Sequence, residues 1–153
     1  MRELHTTTPP TAQEFKNVLR KHALKATPQR MAVHESMLRL GHATAEQVAA
    51  DIAAQSPVKV TTASIYNILS QMTLLGVYAH RLSIGGKMIF DVTTGMHIHL
   101  YDTVSGTYRD IEDGELSGMA LARLGKRRFR GYRVDGIDIT ILCHPSHLKK
   151  TRK

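Results

Sequence analysis

Through the first half of the chain apolar residues recur every third or fourth position, and through much of the second half every other position, which predicts helices followed by strands. Thr11 and Glu14 have capping-box spacing, and Phe15, Val18, Leu19 and His22 then share one face, predicting a helix over about 12–24. Thr27 caps a second helix with Pro28 at its first position, where the missing N–H costs nothing, and Gly41 follows the apolar run through Leu40. Thr44 and Gln47 repeat the capping box ahead of Val48, Ala49, Ile52 and Ala53, and Ser56-Pro57 ends that third helix. Thr61 or Thr62 caps a fourth, with Ile65, Ile68, Leu69, Met72 and Leu75 as its stripe and Gly76 as its stop. Its other face carries Ala63, Ser64, Tyr66, Asn67 and Ser70, small or hydrogen-bonding groups almost without charge that suit a DNA major groove. The alternative is a solvated face with one tyrosine packed back on the protein. VYAHRLSI and KMIFD then flank Gly85-Gly86, a hairpin signal with positive φ expected at both glycines, so the order is that of a winged helix-turn-helix.

Beyond an expected hinge at 93–95 the period changes. Alternation in His97-Ile98-His99-Leu100 puts both imidazoles on one face of a strand. Ser105-Gly106 turns the chain into Thr107–Ile111, Leu116, Met119, Ala120 and Leu124 form a short helical stripe, and Ile137, Ile139 and Ile141 alternate in a last strand able to pair across a two-fold axis. The expected fold is α+β: a winged-helix DNA-binding domain over 1–92, a small α/β dimerisation and metal-binding domain over 93–148, and a basic tail over 149–153.

Composition narrows the function. Lys and Arg number 21 against 13 Asp and Glu, a net charge of +8 suited to a polyanionic partner, with the densest patches at KRRFRGYR (126–133) and KKTRK (149–153). A solvated surface or tail explains those two patches equally well. No apolar run approaches the ~18 residues that span a bilayer, and the N-terminus has no signal-peptide core, so the expectation is a cytoplasmic chain without membrane contact. The single cysteine, Cys143, rules out an internal disulfide and a cysteine-rich structural zinc site. No nucleophile elbow, phosphate loop or HExxH is present, and an enzyme is not expected. Histidine with carboxylate suits iron, manganese or zinc, although two strand histidines also occur with no metal role.

Taken together, LKATPQRMAVHESML, GHATAEQVA, TTASIYNILSQMTLLGV, GGKMIFD and HIHLYDTVSGTYRDI resemble the ferric uptake regulator family of bacterial metal-dependent repressors, over about Phe15 to His144. The resemblance implies a homodimer on double-stranded DNA, at an A·T-rich inverted repeat, and an interdomain site for Fe²⁺ or Mn²⁺, with Zn²⁺ able to enter in vitro. His42 matches a ligand before the third helix, Asp91 a carboxylate after the wing, His97 and His99 the H-x-H ligands, and Asp110 the carboxylate of the next strand. Ser64, Tyr66 and Asn67 fall on the recognition helix, with Arg20, Lys21, Lys25 and Arg30 as candidate phosphate contacts.

The chain departs from the family pattern in three places. Asp102 and Ser105 stand where the family commonly has a Cys-x-x-Cys zinc site, so no structural zinc is expected. Ile98 and Ile137 replace an acidic residue and a histidine, which removes a second metal site, and Asn67 stands where many members have arginine. Asp at 91 resembles the peroxide-sensing and iron-response (Irr-like) branches. The signal is then peroxide acting on Fe²⁺ beside His42 or His97, or haem or iron status acting through His97 and His99; Cys143-His144-Pro145 lacks the Cys-Pro dipeptide of haem-regulatory sequences, and a buried strand-end thiol is its favoured role. A metal store or metalloenzyme that retains no specific DNA is the alternative of a different class.

Overall fold

The computed structural model describes residues 8–134 and 136–146. It divides into two compact units, one ending at Thr94 and one beginning at Gly95. The expected basic tail, 149–153, lies outside the described residues.

The first unit holds α1 (Ala12–Lys21), α2 (Pro28–Leu40), β1 (His42–Ala43), α3 (Ala45–Gln55), α4 (Thr62–Leu74), β2 (Ala79–Leu82) and β3 (Met88–Asp91). Both capping boxes form, Thr11 with Glu14 and Thr44 with Gln47, and Thr27 and Thr61 cap α2 and α4. Each cap satisfies an amide that the first helical turn leaves without an internal partner. Phe15, Leu19, Val33, Met37, Val48, Ile52, Ile65, Leu69 and Met72 are all essentially inaccessible, so the periodic positions of all four helices converge on one core.

Helix α1 stops earlier than expected. Ala23 takes φ +56°, its N–H donates to Arg20 O at 3.0 Å, and Leu24 N donates to Leu19 O at 2.8 Å. This paired closure normally uses glycine; alanine accepts a strained left-handed residue while Leu24 packs against the core. The end of α4 closes the same way at Gly76, whose N–H donates to Thr73 O while Val77 N donates to Met72 O.

The wing also differs. Only Gly86 has positive φ (+77°); Gly86 N donates to Ser83 O, and Ser83 N to Lys87 O, giving a turn with a glycine bulge in place of two left-handed glycines. Strand β3 is central in a three-stranded sheet of order β1-β3-β2. The two-residue strand β1 is absent from the sequence reading, and it places His42 directly across from Asp91.

The second unit holds β4 (Ile98–Asp102), β5 (Tyr108–Ile111), α5 (Gly114–Ala120) and β6 (Ile139–Cys143), with α5 running on into a wider π turn over Leu121–Gly125. Strand β4 is central, antiparallel to β5 and parallel to β6. Ile137 precedes β6 rather than joining it. Among the described residues β6 pairs with β4 alone, and Ile141, Leu142, Met119 and Leu116 are each more than a third exposed.

Candidate metal centre

Two clusters of imidazole and carboxylate arise, one in each unit. In the first, the β1–β3 register brings His42 Nε2 to 3.0 Å from Asp91 Oδ2, with the carboxylate fully buried. Thr93 N donates to the other oxygen, Oδ1, at 2.8 Å. Arg81, from β2, reaches Oδ2 with Nη2 at 3.2 Å. Nothing in the local sequence pattern marks Arg81; the three-stranded wing brings it to Asp91.

In the second, the β4–β5 register sets His99 opposite Asp110. His97 and His99 lie with ring centroids 4.2 Å apart, as side chains two positions apart on one face should. Ligand-capable atoms of His97, His99 and Asp110 all lie within 4.8 Å of one another. His97 Nδ1 is 2.7 Å from Gly95 O, and His99 Nδ1 is 3.2 Å from Asp138 Oδ1. A carbonyl or carboxylate oxygen only accepts, so each Nδ1 carries the hydrogen. Each Nε2 is the remaining nitrogen, at 3.3 Å (His97) and 3.7 Å (His99) from Asp110 Oδ1. That is the arrangement of metal-binding histidines, whose second nitrogen is held by an oxygen. Asp138 is the residue that sequence reasoning missed; it sits just ahead of β6 and meets β4 only through the parallel pairing. All the donors are imidazole nitrogens and carboxylate oxygens, a set that fits Fe²⁺, Mn²⁺ or Zn²⁺.

At the two zinc-cysteine positions of the family pattern a different device closes the turn. Asp102 Oδ1 accepts from Val104 N at 2.8 Å and Ser105 N at 3.3 Å, and these bonds hold its carboxyl below the usual range. Thr103 N donates to Cys143 O at 2.8 Å, tying the turn to β6. Cys143 itself is half-buried, with Sγ donating to Tyr101 O at 3.4 Å, the strand-end role that the sequence favoured over a haem ligand.

The sequence-predicted DNA residues are spread over α1, α2, α4 and the loop between α1 and α2. Ser64, Tyr66 and Asn67 are exposed on α4, together with Ala63. Tyr66 is 45% exposed and packs T-shaped against Phe90, ring centroids 5.9 Å apart, so its ring is both presented and braced by the wing. Ser64 Oγ accepts from Thr61 Oγ1 inside the α4 cap. Arg20, Lys21 and Lys25 are exposed. Arg30 is half-buried, and its guanidinium donates to Lys25 O at 2.7 Å and Gln71 Oε1 at 3.1 Å, bracing α4.

A model of the ferric uptake regulator family matches residues 21–138. The chain belongs to this family. Its members are metal-responsive transcription regulators that bind DNA as dimers, not enzymes. Among solved structures, the Vibrio cholerae ferric uptake regulator is similar with a TM-score of 0.69 at 19% identity, over 86% of this chain and 99% of that one. The Pseudomonas aeruginosa regulator, solved with manganese, has a TM-score of 0.64 at 23% identity, covering 85% and 96%. The Campylobacter jejuni peroxide stress regulator has 0.62 at 24%, covering 87% and 97%. At these identities the likeness speaks for the fold. No curated protein matches the chain by sequence. Among the described residues no helix is long and apolar enough to cross a membrane.

Proposed function

We propose that the protein is a dimeric repressor of iron homeostasis or of the peroxide response, governed by Fe²⁺ or Mn²⁺ at one site that draws His42 and Asp91 from the first unit and His97, His99 and Asp110 from the second. The observation that carries this is the pair of incomplete donor sets: His42 and Asp91 at 3.0 Å in one unit, and in the other two imidazoles around Asp110 Oδ1. Neither alone supplies the five or six donors that Mn²⁺ or Fe²⁺ takes. Together they provide three imidazoles and two carboxylates, with room for a sixth ligand. A bound divalent ion supplies positive charge that both sets of donors share, and so couples the state of one unit to that of the other.

The chain's own residues do the rest. Gly95 O and Asp138 fix the His97 and His99 rings, and the wing register fixes His42. Helix α4 offers Tyr66, Ser64 and Asn67 to base edges, where a phenol ring suits the thymine methyls of an A·T-rich inverted repeat. Arg20, Lys21 and Lys25 meet phosphates and set register without reading sequence. The exposed apolar side chains of β6 and α5 form the face that a second copy covers. Two copies place two α4 helices on half-sites about one DNA turn apart.

Retention of a labelled A·T-rich palindrome, measured with chelator and then with Mn²⁺, tests this reading. Mn²⁺-dependent binding that a scrambled duplex does not share is expected; metal uptake without specific retention would assign the chain to metal storage. An aspartate at both 91 and 110 favours the peroxide branch within this reading. Brief peroxide treatment of the Fe²⁺ form should then place one oxygen on the His42 or His97 imidazole and release DNA, while the Mn²⁺ form stays bound. Oxygen found on methionine alone, Met96 included, in both metal forms would favour the iron-response branch.

A further inference from the structure

Arg81 stands at the same carboxylate oxygen as His42. Its Nη2 is 3.2 Å from Asp91 Oδ2, which His42 Nε2 approaches to 3.0 Å, and the arginine side chain is itself largely buried. Asp91 Oδ1 is already committed to Thr93 N. Oδ2 is the oxygen that faces the His42 imidazole, and a fixed cation is already on it. An aspartate without any solvent exposure needs such compensation, because a bare carboxylate in that position loses its hydration. A divalent ion on Oδ2 makes the guanidinium a like-charged neighbour. At a separation of ~5 Å, charges of +1 and +2 repel enough even in bulk water to weaken binding about tenfold or more. If the guanidinium leaves, the broken ion pair carries the cost; in either case the arginine raises the metal concentration needed to fill the site.

We propose that Arg81 is a built-in competitor for the metal: it occupies Asp91 in the metal-free protein, is displaced when the ion binds, and so sets the threshold at which the regulator responds. This rests on the metal reading above and concerns a residue that is not itself a ligand. Two features separate it from a purely structural ion pair. A structural arginine would stabilise metal-free and metal-loaded protein alike, whereas a competitor stabilises only the metal-free form. Charge, rather than shape, should also decide the effect, so lysine should substitute where glutamine cannot.

The test is calorimetric titration of the metal-free full-length protein with Mn²⁺ at fixed pH and ionic strength, for wild type, Arg81→Gln and Arg81→Lys, with thermal melts of each before and after metal. Arg81→Gln should bind Mn²⁺ roughly tenfold more tightly, melt lower than wild type without metal, and gain more on adding it. Arg81→Lys should stay near wild type in affinity. Equal or weaker binding by Arg81→Gln overturns the role of Arg81 and leaves the metal site standing; no Mn²⁺, Fe²⁺ or Zn²⁺ binding by wild type overturns the metal reading itself. Should Arg81→Gln not fold, wild-type protein suffices. An arginine-selective dicarbonyl reagent, located by peptide mass analysis, should label Arg81 faster once Mn²⁺ is bound, and unchanged or slower labelling contradicts displacement.

Discussion

Replacing Asp138 with alanine removes an oxygen that touches no metal in the proposed site and should still weaken metal binding. The His99 ring is almost wholly buried, with Nδ1 3.2 Å from Asp138 Oδ1 and Nε2 directed toward Asp110. Without the carboxylate, the ring loses what holds its hydrogen on Nδ1 and its lone pair on Nε2, and it must reorient before it can coordinate. Loss of such an outer carboxylate typically costs about 10–100-fold in metal affinity. Asp138 is 53% exposed, so water takes over part of its role, which puts the expected loss near tenfold, about 1.4 kcal/mol. Asp138→Asn keeps an acceptor oxygen and should lose less. Calorimetric titration with Mn²⁺ gives the affinities, and melts of the metal-free proteins show whether stability has moved as well. Wild-type affinity in Asp138→Ala would refute the reasoning that this carboxylate orients His99. So would an equal fall in metal-free stability with no separate effect on binding.

Two further outcomes follow from other parts of the first unit. Tyr66→Ala should cost about 1–3 kcal/mol on the cognate duplex and clearly less on a scrambled one at the same salt concentration; equal losses would mean that the ring reads no bases and only braces Phe90. His34 is fully buried, stacked on Phe15 at 4.0 Å, with Nε2 2.7 Å from Pro10 O and Nδ1 2.8 Å from Tyr78 Oη. Pro10 O only accepts, so Nε2 donates; burial depresses the ring's pKa from the ordinary 6.5 and so favours the neutral form, in which Nδ1 accepts the Tyr78 hydroxyl hydrogen. The unfolded chain therefore takes up this proton first. The contribution is present above about pH 6.5 and shrinks as pH falls below it, by at most ~1.4 kcal/mol per pH unit. Urea melts from pH 5 to 8 should show a steeper acid loss for wild type than for His34→Phe, and parallel curves would contradict the assignment.

Local signals wrote most of the first unit into the sequence. Thr11 with Glu14, Thr44 with Gln47, Thr27 before Pro28, and Gly41 and Gly76 at helix ends each act within one turn, so neighbouring residues suffice to reveal them. The closure at Ala23 was hidden because its geometry belongs to glycine. The candidate ligands were legible through the family pattern and the H-x-H alternation. What holds them was not. His42 meets Asp91 through a two-residue strand paired across the chain, Arg81 arrives from the other wing strand, and Asp138 reaches His99 across a parallel pairing. Contacts between distant segments leave no periodic trace in a single sequence. The same holds for His34, which sits inside α2 as one more helical position until Phe15, Pro10 and Tyr78 close around it.

The claim that one metal draws ligands from both units is tested most directly by Mn²⁺ titration of His42→Ala and His99→Ala in parallel with wild type, with affinity for the cognate duplex measured on the same samples. Each variant loses a donor from a different unit, so the account predicts that both weaken Mn²⁺ binding strongly and that metal-dependent DNA affinity falls with it. Wild-type Mn²⁺ affinity in His42→Ala beside its abolition in His99→Ala would confine the site to the second unit and contradict the shared site.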